Sequence, residues 1–169
     1  LGEGSSGRIL HKATIVTWLL IGPQTRLAFA HGFATGQVSR SSSLPVILTD
    51  GTFTHVAVSW NGTASTGGIL FYINGAEVTS YSAGVTGGGA ATTDTGNFLI
   101  GNNANSAFTF DGKIAYAHFY GRILATNEIR SVMNRPASVT TGINTQGLLG
   151  FWPLWDTGFA DDYSGRGNH

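Results

Sequence analysis

A run of alternating strand-forming residues at positions 53–81 constrains the fold of this chain more than any other feature. Two of its segments, 53–60 and 69–73, are rich in β-branched and aromatic residues, which favours strands over helices. The pair Asn74-Gly75 follows the second segment and supplies the two positive-φ positions that a type I′ hairpin turn needs. The pattern predicts three adjacent antiparallel strands, of which the third ends at Tyr81.

Short strand signals separated by glycine-rich and polar turns continue along the rest of the chain. Their close spacing favours a sandwich or barrel over alternating strand–helix units. A glycine-rich segment at 82–96 has almost nothing apolar to bury, and is predicted to be a mobile surface loop. The predicted strands outside the central run are 8–11, 15–21, 26–33, 37–41, 46–48, 97–101, 108–120 and 148–154.

One helix is predicted at 126–134. Ile129, Val132 and Met133 recur at a spacing that places them on one helix face, and Pro136 marks the end. Thr126 is predicted to cap its first turn, because Ala125 has no side-chain oxygen.

Length and charge limit the classes of function. A chain of 169 residues is expected to form one domain. Nine basic and nine acidic residues give no net charge, which argues against nucleic acid as a partner. No apolar run approaches the roughly 20 residues of a membrane span, so no membrane insertion is predicted. The absence of cysteine excludes disulfides and thiolate metal sites.

The central run also carries a family resemblance. The strings DGTFTHVAVSWNGT and LFYINGAEV resemble the core motif of LamG-like, concanavalin A-like jelly-roll domains, and further matches follow in order at 98–101, 110–114 and 123–129. The resemblance covers most of residues 8–135. It implies an all-β fold: a two-sheet antiparallel β-sandwich, the concanavalin A-like jelly roll, with one short helix near residues 126–134.

The C-terminal segment resembles the opening of such domains rather than their end. GLLGFWPL and DDYSGRGNH, within 148–169, match that opening. Residues 1–169 are therefore predicted to form a single LamG-like domain that is permuted, truncated, or completed by exchange with a neighbouring chain. Exchange would allow self-association through a terminal strand. A permuted domain is favoured because Phe151, Trp152, Leu154 and Trp155 would otherwise form an exposed apolar patch.

The resemblance also suggests a calcium site at Asp162 and Asn168. Asp162 matches the aspartate of the family's D-x-S-G string, and hard oxygen ligands suit Ca²⁺. Members often carry acids at the positions that Ala115 and Tyr116 occupy here, so some potential ligands are missing. The alternative is that Asp162 stabilises a glycine-rich turn.

Exposed aromatic rings flanked by amides would suit carbohydrate recognition. The strand tryptophans Trp18, Trp60 and Trp152 are predicted to lie in the core, and His55 to pack or form an interstrand hydrogen bond rather than bind metal. The predicted ligand-binding residues near loops are Trp155, Tyr163, Phe110, Asn102, Asn103 and Asn105.

The sequence leaves three functions open. The resemblance implies a non-catalytic recognition or adhesion module that binds carbohydrate or a protein surface, within a secreted, cell-surface or virion protein. The first alternative is a structural spacer or assembly domain. The second is a glycoside hydrolase, which needs two facing carboxylates. It is disfavoured because the Glu-x-Asp-x-Glu strand of the catalytic relatives is missing, and the glutamates are only Glu3, Glu77 and Glu128.

Overall fold

A computed structural model describes residues 6–12, 16–21, 26–43, 51–93, 95–103, 108–134, 145–154 and 161–168. Within these ranges the chain forms short antiparallel strands and one α-helix. The strands are β1 (Ser6–Lys12), β2 (Val16–Ile21), β3 (Arg26–Thr35), β4 (Gln37–Ser41), β5 (Val56–Trp60), β6 (Ile69–Ile73), β7 (Ala76–Glu77), β8 (Gly88–Ala91), β9 (Phe98–Ile100), β10 (Tyr116–Tyr120) and β11 (Leu148–Pro153), and the helix is α1 (Thr126–Met133).

The strands lie in two layers. One layer is a sheet in the order β4-β3-β2-β1-β9, with β8 added to β3, and the other contains the sheets β5-β6-β7 and β10-β11. Leu27 and Phe29 of the first layer and Phe71 of the second are buried in one apolar cluster. Phe98 of β9 meets Phe119 of β10 at a ring-centroid distance of 5.3 Å. The predicted all-β, two-sheet antiparallel sandwich with one short helix is confirmed.

The central hairpin forms as predicted. Asn74 and Gly75 have φ values of 49° and 73°, as a type I′ turn requires. The strand before the turn, β6, pairs with β5 from Val56↔Ile73 to Trp60↔Ile69. The strand after the turn is shorter than predicted, because β7 covers only Ala76–Glu77.

Two further predicted segments differ from the structure. The strand predicted at 108–120 is limited to β10, because Phe110 N–H donates to the Gly101 carbonyl and Gly112 N–H to that of Phe110, which turns the chain before β10. The segment 82–96 is not wholly a loop, since it contains β8, which pairs with β3. Backbone pairing needs no apolar side chains, so the composition gave no sign of it. The strand predicted at 46–48 lies outside the described residues.

The cap of the helix lies one residue earlier than predicted, and the helix begins at Thr126. Ala125, not Thr126, is the N-cap residue, and its N–H donates to the Glu128 carboxylate at 2.8 Å. The same carboxylate forms a two-point ion pair with Arg122, with N···O distances of 2.7 and 2.9 Å. Only half of a capping box is therefore present. Glu128 accepts from the N-cap N–H, but the alanine side chain offers no acceptor in return.

Ala125→Ser is expected to raise the free energy of unfolding by about 1 kcal/mol, because a serine hydroxyl would complete the capping box. Urea denaturation measures the change. Thr126→Ser is the matched control: it alters a hydroxyl residue one position later, inside the helix, and should change stability by less than about 0.5 kcal/mol. Equal effects of the two substitutions would contradict the assignment of Ala125 as the cap.

The C-terminal segment docks on its own chain. Strand β11 pairs antiparallel with β10, from Tyr116↔Pro153 to Phe119↔Gly150. Phe151 is buried, and the Trp152 ring stacks on Phe98 at 5.7 Å. Two of the four residues of the expected apolar patch, Phe151 and Trp152, are thus covered within one molecule, and Trp155 lies outside the described residues. The single-domain assignment, the permutation and the exchange of a terminal strand stay predictions.

A candidate binding cleft between two strand edges

A cleft of about 1920 Å³ separates β5 from β10. Both strands line it over their whole length, and side chains from β1, β3 and β9 form its floor. Pockets for compact small ligands measure about 300–1,000 Å³. The cleft is therefore large enough for a segment of a chain-like ligand.

The edge of β5 presents backbone groups to the cleft. Asn61 N–H donates to the Gly68 carbonyl and Asn74 N–H to that of His55, so the odd-numbered residues of this segment bond to β6. Bonding direction alternates along an antiparallel strand, which turns the N–H and C=O groups of Val56, Val58 and Trp60 away from β6. In the described part of the chain, no strand pairs with this edge.

Strand β10 offers a second edge of the same kind. Leu154 N–H donates to the Ala115 carbonyl at 2.8 Å, which places the bonds to β11 at odd-numbered residues. The backbone groups of Tyr116 and His118 consequently point away from β11. Across the described ranges, β10 pairs with β11 alone. The cleft is thus bounded by two rows of backbone donors and acceptors.

Histidine and tyrosine side chains form one wall of the cleft. The His118 ring stacks on Phe151 with centroids 4.3 Å apart and planes 4° apart, and His55 lies 6.4 Å from the Tyr116 ring. Among the described residues, His55 Nδ1, His118 Nε2 and the Tyr120 hydroxyl are buried without a hydrogen-bond partner. Buried polar atoms normally have partners, so these three mark a place where a ligand could supply them.

The cleft histidines are uncharged near neutral pH. Burial lowers the pKa of His55. Burial, together with the charge of nearby His55, lowers the pKa of His118 to about 4. Burial also raises the pKa values of Tyr116 and Tyr120. The wall is therefore polar but neutral at pH 7.

Fixed charges on the cleft lining are mainly basic. Arg122 is paired with Glu128, whereas Lys113 and Arg166 are exposed at the rim. Asp111 is the one carboxylate on the described lining, so the pair that glycoside hydrolysis requires is not found there. The described charged residues on the lining are Lys12, Asp111, Lys113, Arg122 and Arg166.

The four predicted ligand-binding residues that the structure describes do not all line the cleft. Phe110 lines the cleft, but it is half-buried and packs against the core cluster. The side-chain oxygen of Asn102 accepts a hydrogen bond from Asn103 N–H at 2.8 Å, and both residues are half-buried. Tyr163 is 48% exposed and does not line the cleft. The other two predicted residues, Trp155 and Asn105, lie outside the described residues.

The sequence predicted ligand-binding residues near loops, whereas strands β5 and β10 form the two sides of the cleft. Its wall residues Tyr116, His118 and Tyr120 alternate along β10 and so share one face. That alternation of polar aromatic residues was the available signal.

Asp162 organises the C-terminal turn. Its Oδ1 accepts hydrogen bonds from the N–H groups of Phe151 and Ser164, both at 2.9 Å. Its Oδ2 accepts from the Ser164 hydroxyl at 2.7 Å, and from the Asn168 amide group at 2.8 Å and N–H at 3.2 Å. Burial acts to raise the pKa of Asp162, but these hydrogen bonds together hold it well below its usual range.

Protein donors already engage the Asp162 oxygens that the predicted calcium site would use. Two carboxylate oxygens offer about four lone-pair positions, and five donors already occupy them at Asp162. The Asn168 amide group donates to Asp162 and to the Leu149 carbonyl, as nitrogen rather than as an oxygen ligand. Nor do the described ranges hold a group of three His, Cys, Asp or Glu side chains suited to a metal. Asp162 instead stabilises the turn, and calcium at these residues stays a prediction.

Comparison with known proteins supplies the family. The described residues contain no helix long and apolar enough to cross a membrane. No curated protein and no solved structure matches the chain. The laminin G family model described as the concanavalin A-like lectin/glucanases superfamily matches residues 3–130, and laminin G-like domains are commonly extracellular modules that bind carbohydrate or protein. The chain belongs to this laminin G family of the concanavalin A-like superfamily.

Proposed function

We propose that this protein is a non-catalytic recognition module that holds an extended ligand, a carbohydrate or a segment of a protein surface, in the cleft between β5 and β10. The observation that carries the proposal is the set of buried, unpartnered polar atoms on an otherwise apolar and aromatic cleft wall. A ligand that supplied their partners would recover hydrogen bonds that the described residues leave unmade.

A role outside the cell or on a virion follows from the same proposal. Laminin G-like domains are commonly extracellular, and the family suggests a carbohydrate- or protein-binding module. The spacer alternative explains the fold equally well, but it gives no role to the polar atoms of the cleft. The hydrolase alternative draws no support from the described lining, which carries Asp111 as its one carboxylate.

Binding to a glycan array and to a peptide array, each with and without calcium, tests the proposal. Tyr120→Phe removes a buried hydroxyl that has no partner in the described structure, so the fold should be retained. It is expected to weaken binding about two- to twelve-fold, which corresponds to the net contribution of one hydrogen bond. Tyr163→Phe removes an exposed hydroxyl away from the cleft and should leave affinity unchanged.

Two results would contradict this proposal. Absence of saturable binding on both arrays would favour the spacer. Binding that is lost in Tyr163→Ala but unchanged in Tyr120→Phe would move the site to the C-terminal loop, as the sequence predicted.

A further inference from the structure

We infer that the cleft ligand is an extended polypeptide strand from a protein partner, which inserts between β5 and β10 and pairs with both edges. This inference rests on the proposed recognition function and names its ligand class. It depends on backbone groups that are distinct from the side-chain atoms that support recognition in general.

The spacing of the free backbone groups identifies a peptide. Val56, Val58 and Trp60 on one edge, and Tyr116 and His118 on the other, present N–H and C=O groups at every second residue. Strand residues rise about 3.3 Å each, so these groups recur about every 6.6 Å. An extended peptide repeats its own donors and acceptors at that interval on both sides. A sugar chain has no such double row, and unpaired strand edges are templates for added strands.

The two faces of the cleft specify the side chains of the inserted strand. Val56, Val58 and Trp60 pack towards the apolar core, so one set of alternate residues should be apolar. The opposite face carries His118 Nε2 and the Tyr120 hydroxyl, which suit serine or threonine in the other set.

The charges at the rim specify the ends of the strand. Lys113 and Arg166 are exposed there, and the described lining holds one carboxylate. Acidic residues at the ends of the strand would complement this charge. The occupant is therefore an alternating apolar–hydroxyl strand with acidic ends.

Amide hydrogen exchange of the free protein tests the edges directly. The N–H groups of Val58 and Trp60 should exchange at least about 100-fold faster than those of Ala57 and Ser59, which bond to β6. Neighbours in the same strand are the matched control. Equal protection of all four amides would show that the edge is already paired and would overturn the inference, while leaving the recognition proposal in place.

A peptide array tests the ligand class. The probes are eight-residue peptides that alternate Val, Ile or Phe with Ser or Thr and carry Glu at both ends. N-methylation of alternate residues removes the donors of one peptide edge without altering the protein, and should weaken binding at least about ten-fold. Two outcomes would overturn this inference but not the recognition proposal. One is binding that tolerates N-methylation of either alternate set of residues. The other is binding of a glycan, but of no peptide, in the cleft. No binding of either probe would overturn both proposals.

Substitution of Val58 provides the reciprocal test on the protein. Val58→Pro removes an N–H group that faces the cleft and bonds to no strand of the described chain, and proline is tolerated at such edges. It should weaken peptide binding at least about ten-fold, whereas Val58→Thr keeps both the donor and the branched shape and should stay within about three-fold. Equal affinities of the two variants would overturn pairing at β5.

Discussion

Asp162→Asn is expected to lower the free energy of unfolding by about 2–4 kcal/mol. Hydrogen bonds to a charged group contribute roughly 1.5–3 kcal/mol each, but these share one partly exposed carboxylate and are not additive. In the unaltered protein both carboxylate oxygens accept hydrogen bonds. An asparagine side chain keeps one acceptor oxygen but replaces the other with an NH₂ group, which cannot accept hydrogen bonds from the same donors. The turn that joins Ser164 and Asn168 to β11 should therefore loosen. Urea denaturation at pH 7 measures the loss.

Asp161→Asn is the matched control for Asp162→Asn. Asp161 is the preceding residue, and its side chain is exposed. The same change of charge should shift stability there by less than about 0.5 kcal/mol. If the two variants were equally stable, the Asp162 hydrogen bonds would be contributing nothing. If calcium raised the stability of the unaltered protein but not of Asp162→Asn, the calcium prediction would be supported instead.

Acid is expected to destabilise the protein between about pH 6.5 and pH 4 through His118. The pKa of this histidine falls from 6.5 to about 4 on folding, so its neutral form is favoured in the folded state. The contribution of the neutral histidine to stability is complete above the pKa of the unfolded state, and it is lost as the pH falls towards the pKa of the folded state. The loss is about 2–3 kcal/mol after allowance for partial exposure.

His118→Phe should remove this step. A phenylalanine ring can keep the stacking on Phe151, and it has no nitrogen to protonate. The variant should therefore lose about 2 kcal/mol less than the unaltered protein between pH 7 and pH 4.5, measured by denaturation at each pH. Tyr116→Phe, on the same face of β10, keeps the imidazole and should retain the loss. An unchanged acid response in His118→Phe would show that His118 is not the titrating group.

Asp162 acts in a separate and lower pH range. Its folded pKa is depressed, so its contribution is present above the unfolded value of 3.8 and is lost as the pH falls towards the folded value. The acid response above pH 4 therefore reports the cleft histidines, His118 together with His55, whose pKa burial also lowers, and the response below pH 4 reports the aspartate. Combining His118→Phe with Asp162→Asn should remove the contributions of His118 and Asp162 and leave that of His55.

The sequence predicted well where local pattern and local chemistry agree. Asn74-Gly75 permits positive φ at two successive positions, so the turn and the pairing of β5 with β6 were predictable. The helix was predictable because its buried face repeats at Ile129 and Val132. The sequence did not predict β8, because this strand forms by backbone pairing with β3 and carries no apolar pattern.

The candidate site was less predictable than the fold. Phe110 was predicted to be a loop aromatic, but its ring packs on the core, and the Asn102 side chain accepts a hydrogen bond from the neighbouring Asn103 N–H. Nothing in a linear pattern indicates which strand edges remain unpaired, because pairing depends on residues far apart in the chain. The edges of β5 and β10 could be found only from the hydrogen bonds of their other sides.

The chain's own alternation of apolar and polar residues determined that it folds into stacked antiparallel sheets, because each strand must bury one face whatever its neighbours are. Only the tertiary structure decided that β11 pairs with β10, that Asp162 holds the final turn, and that a cleft remains between β5 and β10. Burial is specified residue by residue, whereas the partners of backbone and polar groups are specified by which segments meet in space.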